Sequence, residues 1–317
     1  MKISDILNTT TKTLFSFEIL PPLKGATLDE IYQTVEPLME FNPPYINVTY
    51  HREEVLYNEL PNGVIEKRVV KKRPGTVGIA AALKYHYKVN VVPHIICGGF
   101  SKDETENALI DLHFLGINNV LAVRGDAERG MKSFQADPQG HGYAVDLVRQ
   151  IVDLNNGKYL DEDLENATAT DFCIGVAGYP EKHSESPNYE SDIRYLKQKV
   201  DAGADYIVTQ LFFDNQVFFD FVDRCRKAGI MVPIVAGIKP LSVKSLLQIL
   251  PKTFGVSIPD TLVKEVEACK DNKAVRAVGI EWATQQTLEL IKHDIPAVHF
   301  YTMGKSDNIK AIAKRCF

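Results

Sequence analysis

A closed (β/α)8 TIM barrel is the fold class this chain predicts, on three observations. Eight short apolar runs rich in Val, Ile, Phe and Tyr recur along it, and each is short enough to be a buried strand. Amphipathic stretches separate the runs, and repeated strand–helix alternation implies a parallel sheet. The 317 residues exceed the roughly 250 that such a barrel takes. The excess leaves room for extra helices near the N-terminus and before the last strand. No repeat, low-complexity tract or composition shift marks a second unit, so a single domain over 1–317 is expected.

The strands are read in order as FSFEIL (15–20), YINVTYH (45–51), VVPHIIC (91–97), VLAVRGD (120–126), FCIGVAGYPEKH (172–183), DYIVTQLFF (205–213), VPIVAGIKP (232–240) and AVHFYTM (297–303). Thr27–Phe41 reads as a helix with Leu28, Ile31, Val35, Leu38 and Met39 on one face, stopped at Asn42-Pro43-Pro44. The charged segment Glu53–Pro74 carries five cations in EKRVVKKRPG. It reads either as a solvated helix face, the favoured reading, or as a phosphate-facing lid. Gly75–Tyr87 and Ser101–Leu115 are helical, the second opened by a Ser101/Glu104 capping box. Gly125–Gly142 is a polar Gly-rich loop, a length usually reserved for function. Tyr143–Leu154 resumes helix, and Asn155–Asp171 is a polar insertion. Pro187–Ala202, Asn215–Ala228, Ser242–Leu250, Asp260–Cys269 and Ala274–His293 are the later helices, and a short terminal helix follows the last strand.

Chemistry in such barrels sits at the C-terminal strand ends. The polar residues there are Glu18, Thr49, His94, Arg124, Asp126, His183, Gln210, Lys239 and Lys305. Glu18 interrupts an apolar run, and burial raises a carboxyl pKa. It is either a general acid working near neutral pH or a glutamate paired with Lys or Arg. Asp126 follows Arg124-Gly125. It is either a ligand-facing carboxylate, with Gly125 allowing close approach, or half of an Arg–Asp ion pair at a turn.

The composition narrows the function classes. A net charge of −5, from 36 basic and 41 acidic residues, leaves no electrostatic footprint for nucleic acid or an anionic membrane. The five cysteines (Cys97, Cys173, Cys225, Cys269, Cys316) form no C-x-x-C pair and read as reduced thiols. No apolar leader or membrane-length stretch is present, so the cytoplasm is the expected location. His94 and His183 lack metal-ligand spacing, and no metal is expected. Neither G-x-G-x-x-G nor G-x-x-x-x-G-K-[ST] occurs, so any dinucleotide must be held by barrel loops.

In combination the motifs are specific. They are S-F-E-x-x-P-P (Ser16–Pro22), N-V-T-Y (Asn47–Tyr50), P-H-I-I-C (Pro93–Cys97), R-G-D (Arg124–Asp126), Y-P-E-x-H (Tyr179–His183), K-V-D-A-G-A (Lys199–Ala204), T-Q-x-F-F-D (Thr209–Asp214) and H-F-Y-T (His299–Thr302). In this order, from about Thr13 to Lys305, the chain resembles the methylenetetrahydrofolate reductases of the bacterial catalytic-domain type. The resemblance implies a barrel holding non-covalent FAD, reduced by NADH or NADPH. The flavin then passes hydride to methylenetetrahydrofolate to give 5-methyltetrahydrofolate, a step in one-carbon metabolism and methionine biosynthesis.

By position, Glu18 matches the family's general acid and Asp126 its flavin- and folate-facing aspartate. Gln210 matches the pterin contact. Thr49, His94, Arg124, Gly125, Asp126, Tyr143, Ala144, Tyr179, His183, Asp192 and Lys199 match flavin-contacting positions. Lys305 stands where many members carry Arg, turning a bidentate grip on a carboxylate, such as the folate glutamate tail, into a point charge. Lys244 stands where many bacterial members have an aromatic, which weighs against stacking there. The chain ends before the C-terminal regulatory region of eukaryotic members, so inhibition by S-adenosylmethionine is not expected. A homo-oligomer is expected, with the apolar surface of Asp260–His293 left open between interface and core. Two other readings stay open: a proline dehydrogenase-like flavoprotein barrel, and a folate- or flavin-binding subunit without turnover.

Overall fold

The computed structural model describes residues 1–126, 131 and 133–317, without the side chains of 54, 55 and 69. The loop read at Gly125–Gly142 therefore lies partly outside the described residues.

Eight parallel strands close into a barrel, flanked by helices. In chain order the elements are α1 (Ile3–Thr9), β1 (Leu14–Ile19), α2 (Leu28–Met39), β2 (Tyr45–Val48), β3 (Glu54–Glu59), β4 (Ile65–Val70), α3 (Thr76–Tyr87), β5 (Asn90–Ile96), α4 (Lys102–Phe114), β6 (Asn119–Val123), α5 (Ala144–Asn155), β7 (Cys173–Gly178), α6 (Tyr189–Asp201), β8 (Tyr206–Thr209), α7 (Asn215–Lys227), β9 (Ile234–Ile238), α8 (Leu246–Phe254), α9 (Asp260–Ala268), α10 (Asn272–Lys292), β10 (Ala297–Tyr301) and α11 (Asp307–Cys316). The barrel order is β1-β10-β9-β8-β7-β6-β5-β2, closing back on β1. Each predicted strand is present, one to several residues shorter at its polar end. Ser101 and Glu104 form the predicted capping box of α4, with bonds of 3.1 and 2.8 Å.

Alternation along each strand divides the side chains into two sets. Phe15, Phe17, Ile46, Val48, Val91, Ile174, Val176, Ile238, Val298 and Phe300 face outward. They form one core with helix residues such as Ile31, Val35, Leu83, Leu109 and Leu147. Tyr45, Val92, Leu121, Cys173, Tyr206, Val235 and Ala297 face inward and pack on Ile3 and Leu7 of α1. Ile3 N donates to Asn119 Oδ1 at 2.9 Å, fixing α1 as a plug in the N-terminal mouth. The inward residues one or two steps further on are polar: Ser16, Glu18, Asn47, His94, His299 and Tyr301. The barrel interior is thus apolar below and polar above, and its C-terminal mouth is the place for chemistry.

Two readings change. Glu53–Pro74 is not a helix face: β3 and β4 form an antiparallel hairpin pairing Glu54 with Val70 through Glu59 with Ile65. Its turn is Leu60-Pro61-Asn62-Gly63, with Gly63 at φ +77° and Val64 N donating to Asn62 Oδ1. The Asn-Gly turn outweighs the charge run, because Gly63 supplies the left-handed φ that a hairpin turn requires. The surface of Asp260–His293 is core on at least one face. Leu262, Val266 and Val275 are buried with Leu211, Phe213, Leu241 and Leu250. A Cβ on Gly279 of α10 would stand 1.9 Å from Leu241 O, so α10 lies directly against the chain that leaves β9.

All five cysteines are free thiols, and Cys97, Cys173 and Cys225 are buried. Among the described residues no helix is long and apolar enough to cross a membrane.

Candidate active site

Glu18 lies inside β1, paired in register with Asn47 of β2 and Tyr301 of β10. Strand alternation turns it inward while Phe17 and Ile19 enter the outer core. It is 8% exposed. Burial pushes its carboxyl up to about 8, and the Lys239 ammonium pulls it part of the way back. The nearest imidazole is His94, with Nε2 4.0 Å from Glu18 Oε2. That separation exceeds a hydrogen bond. Burial, and then His51, press His94 down to about 3, so the ring is neutral and offers Glu18 no counter-charge. Asn47 Nδ2 bonds His94 Nε2 at 3.3 Å, and Thr302 Oγ1 donates to the Glu18 carbonyl at 2.7 Å.

Tyr301 closes this chamber on the β9 side. Its hydroxyl donates to Thr209 O at 2.5 Å, and its ring lies where a Cβ on Gly237 would sit, 2.8 Å away. Gly237 is what lets the ring cross β9. Lower in the wall, Ser16 Oγ and His299 Nδ1 are 2.9 Å apart. Asn47 Oδ1 and His299 Nε2 are buried without a partner among the described residues. Unpaired buried polar atoms are costly, so this wall suits a ligand with hydrogen-bonding edges.

The ends of β6 and β7 are built differently. Arg124 Nη1 donates to Glu185 Oε2 at 2.7 Å, and its guanidinium lies 5.0 Å from the Phe134 ring centroid. The partner of Arg124 is therefore Glu185 and not Asp126, which corrects the ion-pair reading. Glu185 N donates to His183 Nδ1 at 3.1 Å, which leaves the proton on Nε2, and burial and Arg124 lower the His183 pKa. Tyr179 meets the His183 ring edge-on at 4.7 Å. Asp192 accepts from Ser186 Oγ at 2.6 Å. Lys199 donates to Ala177 O at 2.6 Å; burial presses it down to about 8 while Asp192 holds it up.

The remaining predicted residues spread around the mouth. Thr49 Oγ1 donates to Ile19 O at 3.2 Å, beside the Glu18 chamber. Asp126 is exposed, follows Gly125 at φ +86°, and faces His51, Arg52 and Tyr179 electrostatically. Tyr143 is 65% exposed and precedes Ala144, where α5 begins without a side-chain cap. Gln210 Oε1 folds back to accept from Leu211 N at 2.9 Å. Lys305 is exposed in the turn after β10, outside both groups. Lys244 donates to Glu267 O at 2.9 Å and so turns to α9. A separate depression of about 300 Å³ lined by Lys84, Tyr85, Lys88, Val89 and Asn90 opens beside the start of β5, away from the strand ends that carry these groups.

The donor set fits the FAD that the resemblance implies. Arg124 and Lys199 bring cationic heads to one side of the mouth, the neutral His183 ring offers an Nε2–H donor, and an uncapped helix start adds N–H groups suited to an anion. The unpartnered Asn47 and His299 atoms offer polar contacts deeper in. Sequence reasoning missed Asn47, Glu185, His299 and Tyr301, and gave Lys239 no role. The inward parity of Asn47 and Tyr301 was readable from the strand period. Glu185 carried no signal, because its meeting with Arg124 depends on the path of the loop after β7.

Residues 2–316 match the family profile described as methylenetetrahydrofolate reductase. The chain is 33% identical to "Methylenetetrahydrofolate reductase (NADH) 1" of Arabidopsis thaliana, over 96% of this chain and 49% of that protein. It is 29% identical to "5,10-methylenetetrahydrofolate reductase" of Buchnera aphidicola, over 98% of this chain and 93% of that protein. The chain thus spans about half the length of the plant relative and nearly all of the bacterial one. Among solved structures, a Clostridium thermocellum protein described as binding two copies of 5-methyl-5,6,7,8-tetrahydrofolic acid shares the fold. Its TM-score is 0.58 at 15% identity, over 100% of this chain and 98% of that one. On the whole-chain profile match, the chain belongs to the methylenetetrahydrofolate reductase family.

Proposed function

We propose that this chain is a single catalytic barrel domain that reduces 5,10-methylenetetrahydrofolate to 5-methyltetrahydrofolate with NADH or NADPH, the two substrates taking turns at non-covalently held FAD. The observation that carries the reading is Glu18: a buried carboxyl raised to about 8 in the polar C-terminal mouth of the barrel, with the Lys239 ammonium acting on it. Such a group is a neutral acid at pH 7, as protonation of a folate nitrogen requires. Relatives named for NADH and for NADPH both resemble the chain, so both donors belong in the test. The reading includes a cytoplasmic homo-oligomer.

Thr49, His94, Arg124, Gly125, Asp126, Tyr143, Ala144, Tyr179, His183, Asp192 and Lys199 would hold the cofactor, with Arg124, His183 and Lys199 toward its pyrophosphate. Bound FAD would supply the hydride relay between the nicotinamide and the folate methylene. Glu18 gives its proton to a nitrogen of the folate five-membered ring, which opens to an iminium cation. The Asp126 carboxylate stabilises that cation. Gln210 meets the pterin once its side chain leaves Leu211 N, and Lys305 meets the glutamate tail as a point charge. The chamber around Glu18 excludes water, which keeps its carboxyl protonated until substrate arrives.

The test is anaerobic mixing. Purified protein should be yellow, bleach with NADH or NADPH, and regain colour on adding methylenetetrahydrofolate. A colourless protein that fails to take up added FAD sinks the reading.

A further inference from the structure

The Glu18 chamber contains a charged group that these roles leave unused. Lys239 follows the last residue of β9, where alternation has Ile234, Ala236 and Ile238 facing the outer core and Val235 facing the barrel interior. Lys239 continues the inward set. Glu18 pairs in register with Tyr301, and Phe300 pairs with Ile238, so Tyr301 stands beside Lys239 in the next step of the ladder. Glu18, Tyr301 and Lys239 therefore form one row across three adjacent strands, and the Cα atoms at its ends are about 10 Å apart at the usual strand spacing. Two inward side chains of these lengths come within electrostatic reach across that gap, without forming an ion pair among the described residues.

The backbone of Lys239 is tightly held. Pro240 and Leu241 are buried, and α10 packs against Leu241 O with only a glycine between them. No hydrogen bond or ion pair holds the Lys239 ammonium among the described residues. A largely buried ammonium with no bonded partner is unfavourable, and Glu18 is the group that raises its pKa.

We propose that Lys239 is a positioning residue for proton delivery by Glu18, its ammonium facing the carboxyl past Tyr301 and compensating the carboxylate left behind when the proton departs. This rests on the role given to Glu18 above. In the step, the Glu18 O–H bond breaks and an N–H bond forms on the folate. The negative charge stays on Glu18, and Lys239 keeps its three protons.

The other groups facing Glu18 leave Lys239 as the effective charge. His94 from β5 is neutral, pressed to about 3 by burial and His51. Tyr301 from β10 is held well above its ordinary range by burial and by Glu18 itself. His299 is pressed to about 3 by burial and then His94, and is neutral as well. Asn47 from β2 is uncharged. Lys239 lowers the pKa of Glu18 and Glu18 raises that of Lys239, so their protonation is coupled. Without the lysine, Glu18 would hold its proton more tightly and be a weaker acid toward substrate.

The experiment is an infrared titration of the purified protein. The protonated-carboxyl C=O band that disappears in E18Q is followed against pH in the parent, K239M and K239R. The midpoint should rise on the order of one pH unit in K239M and stay within about 0.3 unit of the parent in K239R. The pH profile of folate reduction should move with it. Should K239M fail to fold, K239Q carries the same expectation. An unmoved midpoint in the charge-removing variant overturns the proposal, as do equal shifts in K239M and K239R, which mean a packing role. A shifted midpoint in a protein that reduces no folate leaves the Lys239–Glu18 coupling standing and removes the assigned reaction.

Discussion

The two sides of the barrel mouth handle charge in opposite ways. Around Glu18, on β1, β5 and β10 and just past β9, the ionisable groups are pushed toward their neutral forms, and His94 stands 4.0 Å from the Glu18 carboxyl. Around Arg124, on the loops after β6 and β7 and on α6, the polar groups keep bonded partners: Arg124 with Glu185, Asp192 with Ser186, Lys199 with Ala177 O. A dry wall without ion pairs raises a carboxyl into the range where it can give up a proton. A wall with bonded partners holds Arg124 charged against Glu185 and can exchange that internal counter-ion for a ligand's phosphate. Proton transfer and anion holding need different surroundings, and a barrel supplies both by assigning them to different strands.

The sharpest way to break this comparison is E18Q. General acids contribute roughly 10²–10⁴-fold, so folate reduction should fall by about that factor. Flavin reduction by NAD(P)H, measured alone by stopped flow, should change by less than about threefold. Equal loss in both half-reactions would make Glu18 structural and erase the distinction between the two walls.

R124A tests the paired side. A hydrogen bond to a charged group contributes about 1.5–3 kcal/mol, so FAD should bind about 10–100-fold more weakly in a fluorescence titration. The pH profile of folate reduction should keep its midpoint, because Arg124 is absent from the groups acting on Glu18. A shifted midpoint would mean that the walls are coupled.

The pH dependence of the parent protein separates the walls again. Glu18 is raised to about 8, so its protonated, working form is fully present below that value and is lost above it. Folate reduction should be level from about pH 6 to 7.5 and then fall tenfold per pH unit. His94, at about 3, contributes no limb in that range. A profile that instead rises through pH 8 would assign the proton donor elsewhere.

The sequence carried the two walls unequally. Glu18 was legible because a carboxylate in FSFEIL contradicts its neighbours, and period-two alternation alone aims it inward. His94, Lys239 and Tyr301 obey the same parity and were readable for the same reason. The paired wall was much less so. Arg124 beside Asp126 suggested a local ion pair, yet Glu185 reaches it from the loop after β7, 61 residues away. Loop paths are set by tertiary packing, which no local period encodes. The hairpin shows a related failure: five cations drew the reading toward a helix face, and the decisive signal was the Asn62-Gly63 turn.

Lys305 belongs to neither wall, and K305A should have the smallest effect. It is exposed in the turn after β10, where its backbone N–H donates to Thr302 O at 3.1 Å. An exposed ammonium meeting a flexible carboxylate tail contributes about 0.2–1 kcal/mol and is screened by salt. The folate KM should therefore rise about 1.5- to 5-fold at low ionic strength, converge on the parent value near 0.5 M salt, and leave kcat unchanged. K305R should lower KM if a bidentate grip is geometrically available at this turn. A loss in kcat, or a KM effect that persists in high salt, would place Lys305 against the pterin end of the substrate and extend the dry wall to the eighth strand.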